Sequence, residues 1–186
     1  MEINIELLDN LFEQAKGNPR LRQNFDLRTS STDTSQRMLN ALLPGTVVPI
    51  HRHEDTTETV ICLCGKMDEV IYEEVVTYGK AAPDAMPMGM DAQDVTRKVD
   101  YREVQRIRLC PAEGKYGCQV PKGAWHTVEV IEPSVIFEAK DGKYGEDGNE
   151  TFEAFKAKKA ENKEQASATF SNSLGDLKKD IEYLIT

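Results

Sequence analysis

Between residues 37 and 140 the chain is a succession of short runs rich in Val and Ile, with no helical period among them. The runs are RMLNALL, GTVVPIH, TVICLC, DEVIYEEVV, VQRIRL, CQVP, HTVEVIE and SVIFEAK. The segments LPG, HEDTT, CGKMD, PAEGKYG, PKGAW, EPS and KDGKYG punctuate them with Gly, Pro and Asp. Branched side chains suit a pleated, half-buried surface, and the punctuating residues supply the turns. Many short strands at close spacing, with no helix between them, pack as an antiparallel sandwich or barrel.

The flanks read differently. Ile5, Leu8, Leu11, Phe12 and Ala15 recur at helical spacing until Gly17 and Pro19 end the pattern, which predicts a helix from Ile3 to Lys16. Residues 79–94, GKAAPDAMPMGMDAQD, have no period and predict a long loop between two strands, a lid or a mobile insertion. Its three methionines, Met86, Met88 and Met90, read as fillers of loop gaps. After Asn149, TFEAFKAKKAENKEQA reads as an exposed, charge-laced helix anchored by Phe152 and Phe155. A last helix puts Leu174, Leu177, Ile181 and Leu184 on one face, a stripe for the barrel or a partner chain. The organisation is therefore an N-terminal helix and lead-in over 1–36, a β-barrel over 37–145 with the insertion at 79–94, and a helical tail over 146–186.

Charge narrows the function classes. With 23 Lys and Arg against 32 Asp and Glu, the net charge of −9 speaks against a nucleic-acid or anionic-membrane surface. No apolar run approaches the ~20 residues that span a bilayer. The acidic, amphipathic start MEINIELLDNLFEQ does not read as an export signal, so a cytoplasmic protein is expected. Its four cysteines are then expected as free thiols. Cys62 and Cys64 share strand parity with Glu58, and Cys110 and Cys118 flank a turn across which they could face each other.

The chain has three histidines, and their positions carry the chemistry. His51 and His53 stand at i and i+2, which on a strand places both imidazoles on one face at about 6 to 7 Å. On a helix the pair would diverge, and Pro49 argues against a helix there. The turn-like EDTT follows, and a tight hairpin would return Glu58 beside them. His126 arrives from VPKGAWHTVEV, where Pro121 and Gly123 make a turn into another strand. Three imidazoles and a carboxylate suit one divalent transition metal ion, Fe, Mn, Zn, Ni or Co. They fill four positions and leave two for water or substrate oxygens in an octahedral ion.

The spacing resembles the cupin family. Its first motif is Gly, five residues, HxH, three or four residues, Glu, six residues, Gly, and Gly45, His51, His53, Glu58 and Gly65 fit every interval. In its second motif Pro121, Gly123 and His126 match, Gly114 stands one residue too far upstream, and Val130 replaces the usual Asn. Those departures lengthen a turn and leave the metal ligands untouched. The resemblance implies an all-β, antiparallel cupin jelly-roll barrel with the metal in its mouth. From about Asn18 to Gly145, the segments NPRLRQNFDLR, TSQRMLNALLPGTVVPIHRH, VPKGAWHTVEV and EPSVIFEAKDGKYG resemble the WbuC-type cupin metalloproteins. That likeness implies a setting in surface-polysaccharide biosynthesis. It does not reach the insertion at 79–94 or the tail.

Around the metal, Trp125 is a candidate pocket wall against a sugar ring, although ordinary strand packing explains it as well. Lys140 and Tyr144, with the Arg-rich segment from Arg20 to Arg28, are candidate contacts for an anionic ligand such as a sugar phosphate or carboxylate. The function expected is a metal-dependent enzyme on a small oxygen-rich molecule, an isomerase, epimerase or oxygenase of the cupin type. The alternative is a non-catalytic metal-dependent sugar-binding or sensor module. An ionisable group beside the metal that is not one of its ligands would favour the enzyme. The expected partners are a small-molecule ligand and a second copy of the chain in a homodimer, with no nucleic acid and no membrane.

Overall fold

The computed structural model describes residues 1–79, 96–146 and 148–158. The chain divides into two units, Met1–Glu150 and Thr151–Thr186. The helix α1 (Ile5–Gly17) comes first. The strands β1 (Arg22–Asp26), β2 (Ser35–Leu42), β3 (His51–His53), β4 (Glu58–Gly79) and β5 (Thr96–Leu109) follow, then β6 (Gly117–Val120), β7 (Trp125–Asp141) and β8 (Asn149–Thr151). The sheet runs in the order β1-β2-β7-β3-β8, and β4 pairs with β5, β6 and β7. The pairings of β1 with β2, of β7 with β2, β3 and β4, and of β4 with β5 and β6 are all antiparallel. This is the antiparallel, all-β architecture expected from the punctuated runs, with a short N-terminal helix.

The Asn4 side chain caps α1 by accepting the Leu7 amide at 3.1 Å. Leu8, Leu11 and Ala15 form its buried stripe, whereas Ile5 in the first turn is 67% exposed. Directly paired residues in an antiparallel sheet share a face, and the register therefore sorts the two cores. Leu39 faces Phe137 and Ala41 faces Val135, and this outer face of β2 and β7 packs under Leu8, Leu11 and Ala15. On the inner face, Leu42, Val60, Cys62, Met67, Leu109 and Ile136 fill the floor of the barrel. The same inner parity carries Glu58, paired with Lys140, and Glu138, paired with Val60.

Two runs that read as separate strands are joined. TVICLC and DEVIYEEVV form the single strand β4, and HTVEVIE and SVIFEAK form β7. The two strands pair from Glu58↔Lys140 to Tyr72↔Trp125. The 14 residues from His126 to Lys140 would extend about 46 Å in a straight strand. Yet both side chains lie 3.2 Å from the Glu58 carboxylate. The ribbon must therefore double over, and its register breaks between Cys62 and Met67 mark the corner. Gly65 sits there at φ +89° with its Cα against Pro133 and Ser134. Lys66 donates its amide to the Ser134 hydroxyl at 2.9 Å, and that hydroxyl donates to the Glu132 carbonyl at 2.7 Å.

β1 was not legible as a strand, because RQNFD is polar at most positions. VQRIRL is the second half of the longer strand β5. Cys110 bridges to Lys115 and Cys118 pairs with Val60, so the two thiols do not face each other across the turn. All four cysteines are free. The second unit opens with a helical turn over 152–158, in which the Phe152 and Phe155 ring centroids lie 6.0 Å apart. The insertion read at 79–94 beyond Gly79, with its methionines, and the stripe Leu174, Leu177, Ile181 and Leu184 lie outside the described residues. No helix among the described residues is long and apolar enough to cross a membrane.

Candidate metal centre

One short strand and two turns deliver four side chains to one place. β3 carries His51 and His53 with the alternation of a strand, and His51 is the direct cross-strand partner of His126 on β7. Glu58 opens β4 after the turn at 54–57, which returns it to the same interior. His126 follows the turn closed by Gly123, whose positive φ of 76° and amide bond to the His53 carbonyl at 2.7 Å fix its approach. One ligand atom from each of His51, His53, Glu58 and His126 lies within 4.8 Å of the other three. Ions bound at about 2.1 Å separate opposed ligand atoms by about 4.2 Å, so a slight contraction closes the set around one cation.

The hydrogen bonds orient these rings for that purpose. His51 Nδ1 lies 3.0 Å from the Pro49 carbonyl, and His126 Nδ1 lies 3.0 Å from the Ala124 carbonyl. A carbonyl only accepts, so each Nδ1 carries a proton, and each Nε2 is turned inward, where the neutral ring offers a lone pair. His126 Nε2 then meets Glu58 Oε2 at 3.2 Å, and His53 Nε2 lies 3.7 Å from the same oxygen. Lone pair faces lone pair unless a proton or a cation stands between them. Burial, with the neighbouring imidazoles, lowers the His51 pKa to about 3, which keeps this ring in its ligating form. Burial opposes the charge of Glu58, but the His126 contact and the Lys140 ammonium hold its carboxyl well below the usual range. Imidazole nitrogens converging on a buried carboxylate fit a divalent transition metal.

Of the three further residues singled out in the sequence, Lys140 reaches this cluster. Its Nζ stands 2.9 Å from His53 Nε2 and 3.2 Å from Glu58 Oε1. Trp125 points to the opposite face of β7, where its indole N–H donates to Glu74 at 3.2 Å and its ring lies 4.4 Å under the Arg52 guanidinium. Tyr144 is exposed, with Arg28 5.1 Å over its ring. Burial raises the Cys62 thiol to about 11, so it behaves as the small hydrophobe of the barrel floor.

Two interior carboxyls escaped the sequence reading. Burial and the Glu58 charge raise Glu138 to about 7. Glu69 is 1% exposed, neither of its carboxylate oxygens has a hydrogen-bond partner among the described residues, and burial drives its pKa well up. Its pairing with Val128 puts it on the inner face, one pair removed from Ile71↔His126. Parity was the available signal, since Glu138 lies two residues before Lys140 and Glu69 two before Ile71, each inside an apolar run.

A family model described as a domain of unknown function, DUF6016, matches residues 3–81. No curated protein matches the sequence. Among solved structures, the chain is similar to the capsular polysaccharide assembling protein CapF from Staphylococcus aureus at 14% identity and a TM-score of 0.43, over 72% of this chain and 32% of that one. Oxalate oxidase in complex with the substrate analogue glycolate aligns at 16% identity and a TM-score of 0.40, over 73% of this chain and 57% of that one. Peruvianin-I, a cysteine peptidase from Thevetia peruviana latex, aligns at 15% identity and a TM-score of 0.41, over 70% of this chain and 66% of that one. The chain thus spans less than two-thirds of each of these solved chains.

Proposed function

We propose that this protein is a metal-dependent cupin enzyme holding one divalent transition metal ion through His51, His53, Glu58 and His126. One observation carries the reading: ligand atoms from four side chains, three of them buried, lie within 4.8 Å of one another, with His126 Nε2 and Glu58 Oε2 at 3.2 Å. Such an ion supplies Lewis acidity to substrate oxygens in its open positions. The substrate is a small oxygen-rich molecule, and the resemblance of the sequence to WbuC-type proteins supports a sugar or nucleotide-sugar derivative of surface-polysaccharide metabolism. Lys140, beside the ligands without belonging to the set, is the ionisable group that favours an enzyme over a sugar-binding or sensor module. The reaction class is an isomerisation, an epimerisation or an oxygenation. The four free thiols support a reducing, cytoplasmic setting.

Elemental analysis of protein purified without added metal tests the first half of this reading, with one equivalent of a transition metal expected. Sugar nucleotides added to that protein should raise its melting temperature. A ligand at 100 times its dissociation constant stabilises by about 2.7 kcal/mol. A set of sugar nucleotides that leaves the melting temperature unmoved would remove the sugar assignment. The assembly proposed is a homodimer, and light scattering that gives the 20.9 kDa of one chain at micromolar concentration would exclude it.

A further inference from the structure

The ligand cluster already holds a cation, and that cation is a side chain. Lys140 Nζ bonds at once to His53 Nε2, at 2.9 Å, and to Glu58 Oε1, at 3.2 Å, two of the four groups that would bind metal. Its position is built by the fold. Lys140 is the direct cross-strand partner of Glu58, so the strand register alone brings the ammonium to the carboxylate. Gln36 on β2 pairs with it from the other side and is itself buried. Glu58 is 4% exposed, and a buried carboxylate without a counter-charge is costly.

We propose that Lys140 is the resident counter-ion of the metal-free site, that it yields its two acceptors when metal binds, and that it then pairs with an anionic oxygen of the metal's ligand. The inference rests on the metal reading above and adds a ligand class to it, carboxylates and phosphates. Two like charges cannot share the same two acceptors, so the ammonium must leave His53 Nε2 and Glu58 Oε1 as the metal takes them. The short movement open to a lysine anchored on β7 keeps it beside the ligand cluster. An ammonium there is a point charge suited to an oxyanion. A neutral sugar hydroxyl would give it no compensating charge.

Three chains decide the matter: the natural protein, Lys140→Met and Lys140→Arg. Cobalt(II) binding is followed by calorimetry and by the visible spectrum, and inorganic phosphate is titrated into each cobalt-loaded protein. Lys140→Met should bind cobalt at least tenfold more tightly, melt at a lower temperature without metal, and lose most of its phosphate-dependent spectral change. Lys140→Arg should keep the metal-free melting temperature and the phosphate response, which separates loss of charge from loss of fold. Equal cobalt affinity in the natural protein and Lys140→Met would overturn the counter-ion role. Equal phosphate responses in those two would overturn the ligand class. Absence of cobalt binding in all three chains would overturn the metal reading itself.

Discussion

A β-carbon added to Gly65 would lie 2.4 Å from the Ser134 hydroxyl oxygen and 2.1 Å from the Pro133 carbonyl oxygen. The two strands touch here without room for a side chain, and this contact lets the β4–β7 ribbon turn the corner that brings Lys140 back to Glu58. Gly65→Ala meets both a backbone clash and a φ of +89°, so it should cost at least about 2 kcal/mol in urea unfolding. Ser134→Ala leaves the Lys66 amide without its acceptor and should cost about 1 to 3 kcal/mol. A Gly65→Ala protein as stable as the parent would mean that the corner is held elsewhere.

Replacing His51 or His126 by Ala should remove most of the bound metal, since each deletes one of four ligands from a set that already pairs across β3 and β7. The fold should survive in both, because neither side chain belongs to the apolar floor or to the layer under α1. Elemental analysis gives the metal content, and circular dichroism the fold. A full equivalent of metal in both variants would contradict the ligand assignment.

The interior carboxyls predict an uncommon pH dependence for metal-free protein. Glu138 has a folded pKa near 7, above the ordinary 4.5 of a glutamate, and Glu69 is raised in the same direction. The folded state therefore holds protons that the unfolded chain has released. Stability is greatest below about pH 4.5 as far as these groups decide it, declines as pH rises, and has lost the Glu138 contribution above about 7. Glu69→Gln and Glu138→Gln should each flatten that decline and stabilise the metal-free protein at neutral pH. Urea midpoints measured across this range for the three proteins check it, and parallel curves would sink the assignment.

The floor of the barrel and the convergence of His51, His53, Glu58 and His126 were legible because both rest on local arithmetic. Short Val- and Ile-rich runs between turn residues gave the strands, and HxH parity with the turn to Glu58 gave the cluster. The continuity of β4 was not legible, because Gly65 reads as a break when it is the bulge that lets one strand serve both sides of a corner. Trp125 illustrates a second limit. Adjacency to His126 suggested the pocket, but on a strand adjacent residues point to opposite faces, and that same alternation sends Trp125 to Arg52. Glu69 and Glu138 stood at inward positions in plain view, where charge in an apolar run usually reads as a solvated face.

Arg52, between the two histidines of β3, clamps the back of the site. Its guanidinium lies 4.4 Å from the Trp125 ring, bonds to Glu150 at 2.7 Å, and also pairs with Glu54 and Glu74. Because adjacent residues of β3 face opposite ways, a clamp on Arg52 fixes the angle at which His51 and His53 enter the interior. Losses of groups that orient metal ligands typically cost about 10 to 100-fold in affinity, and Arg52→Ala should fall in that range. Arg52→Lys keeps the charge but neither the planar stack nor the fork, so it should lie between the two. Trp125 is the one tryptophan of the chain, and its fluorescence reports the clamp directly. Arg52→Ala should change that emission and weaken metal binding together. If the emission changes while calorimetry finds the metal held as tightly as before, the clamp does not set the ligand angles and serves stability alone.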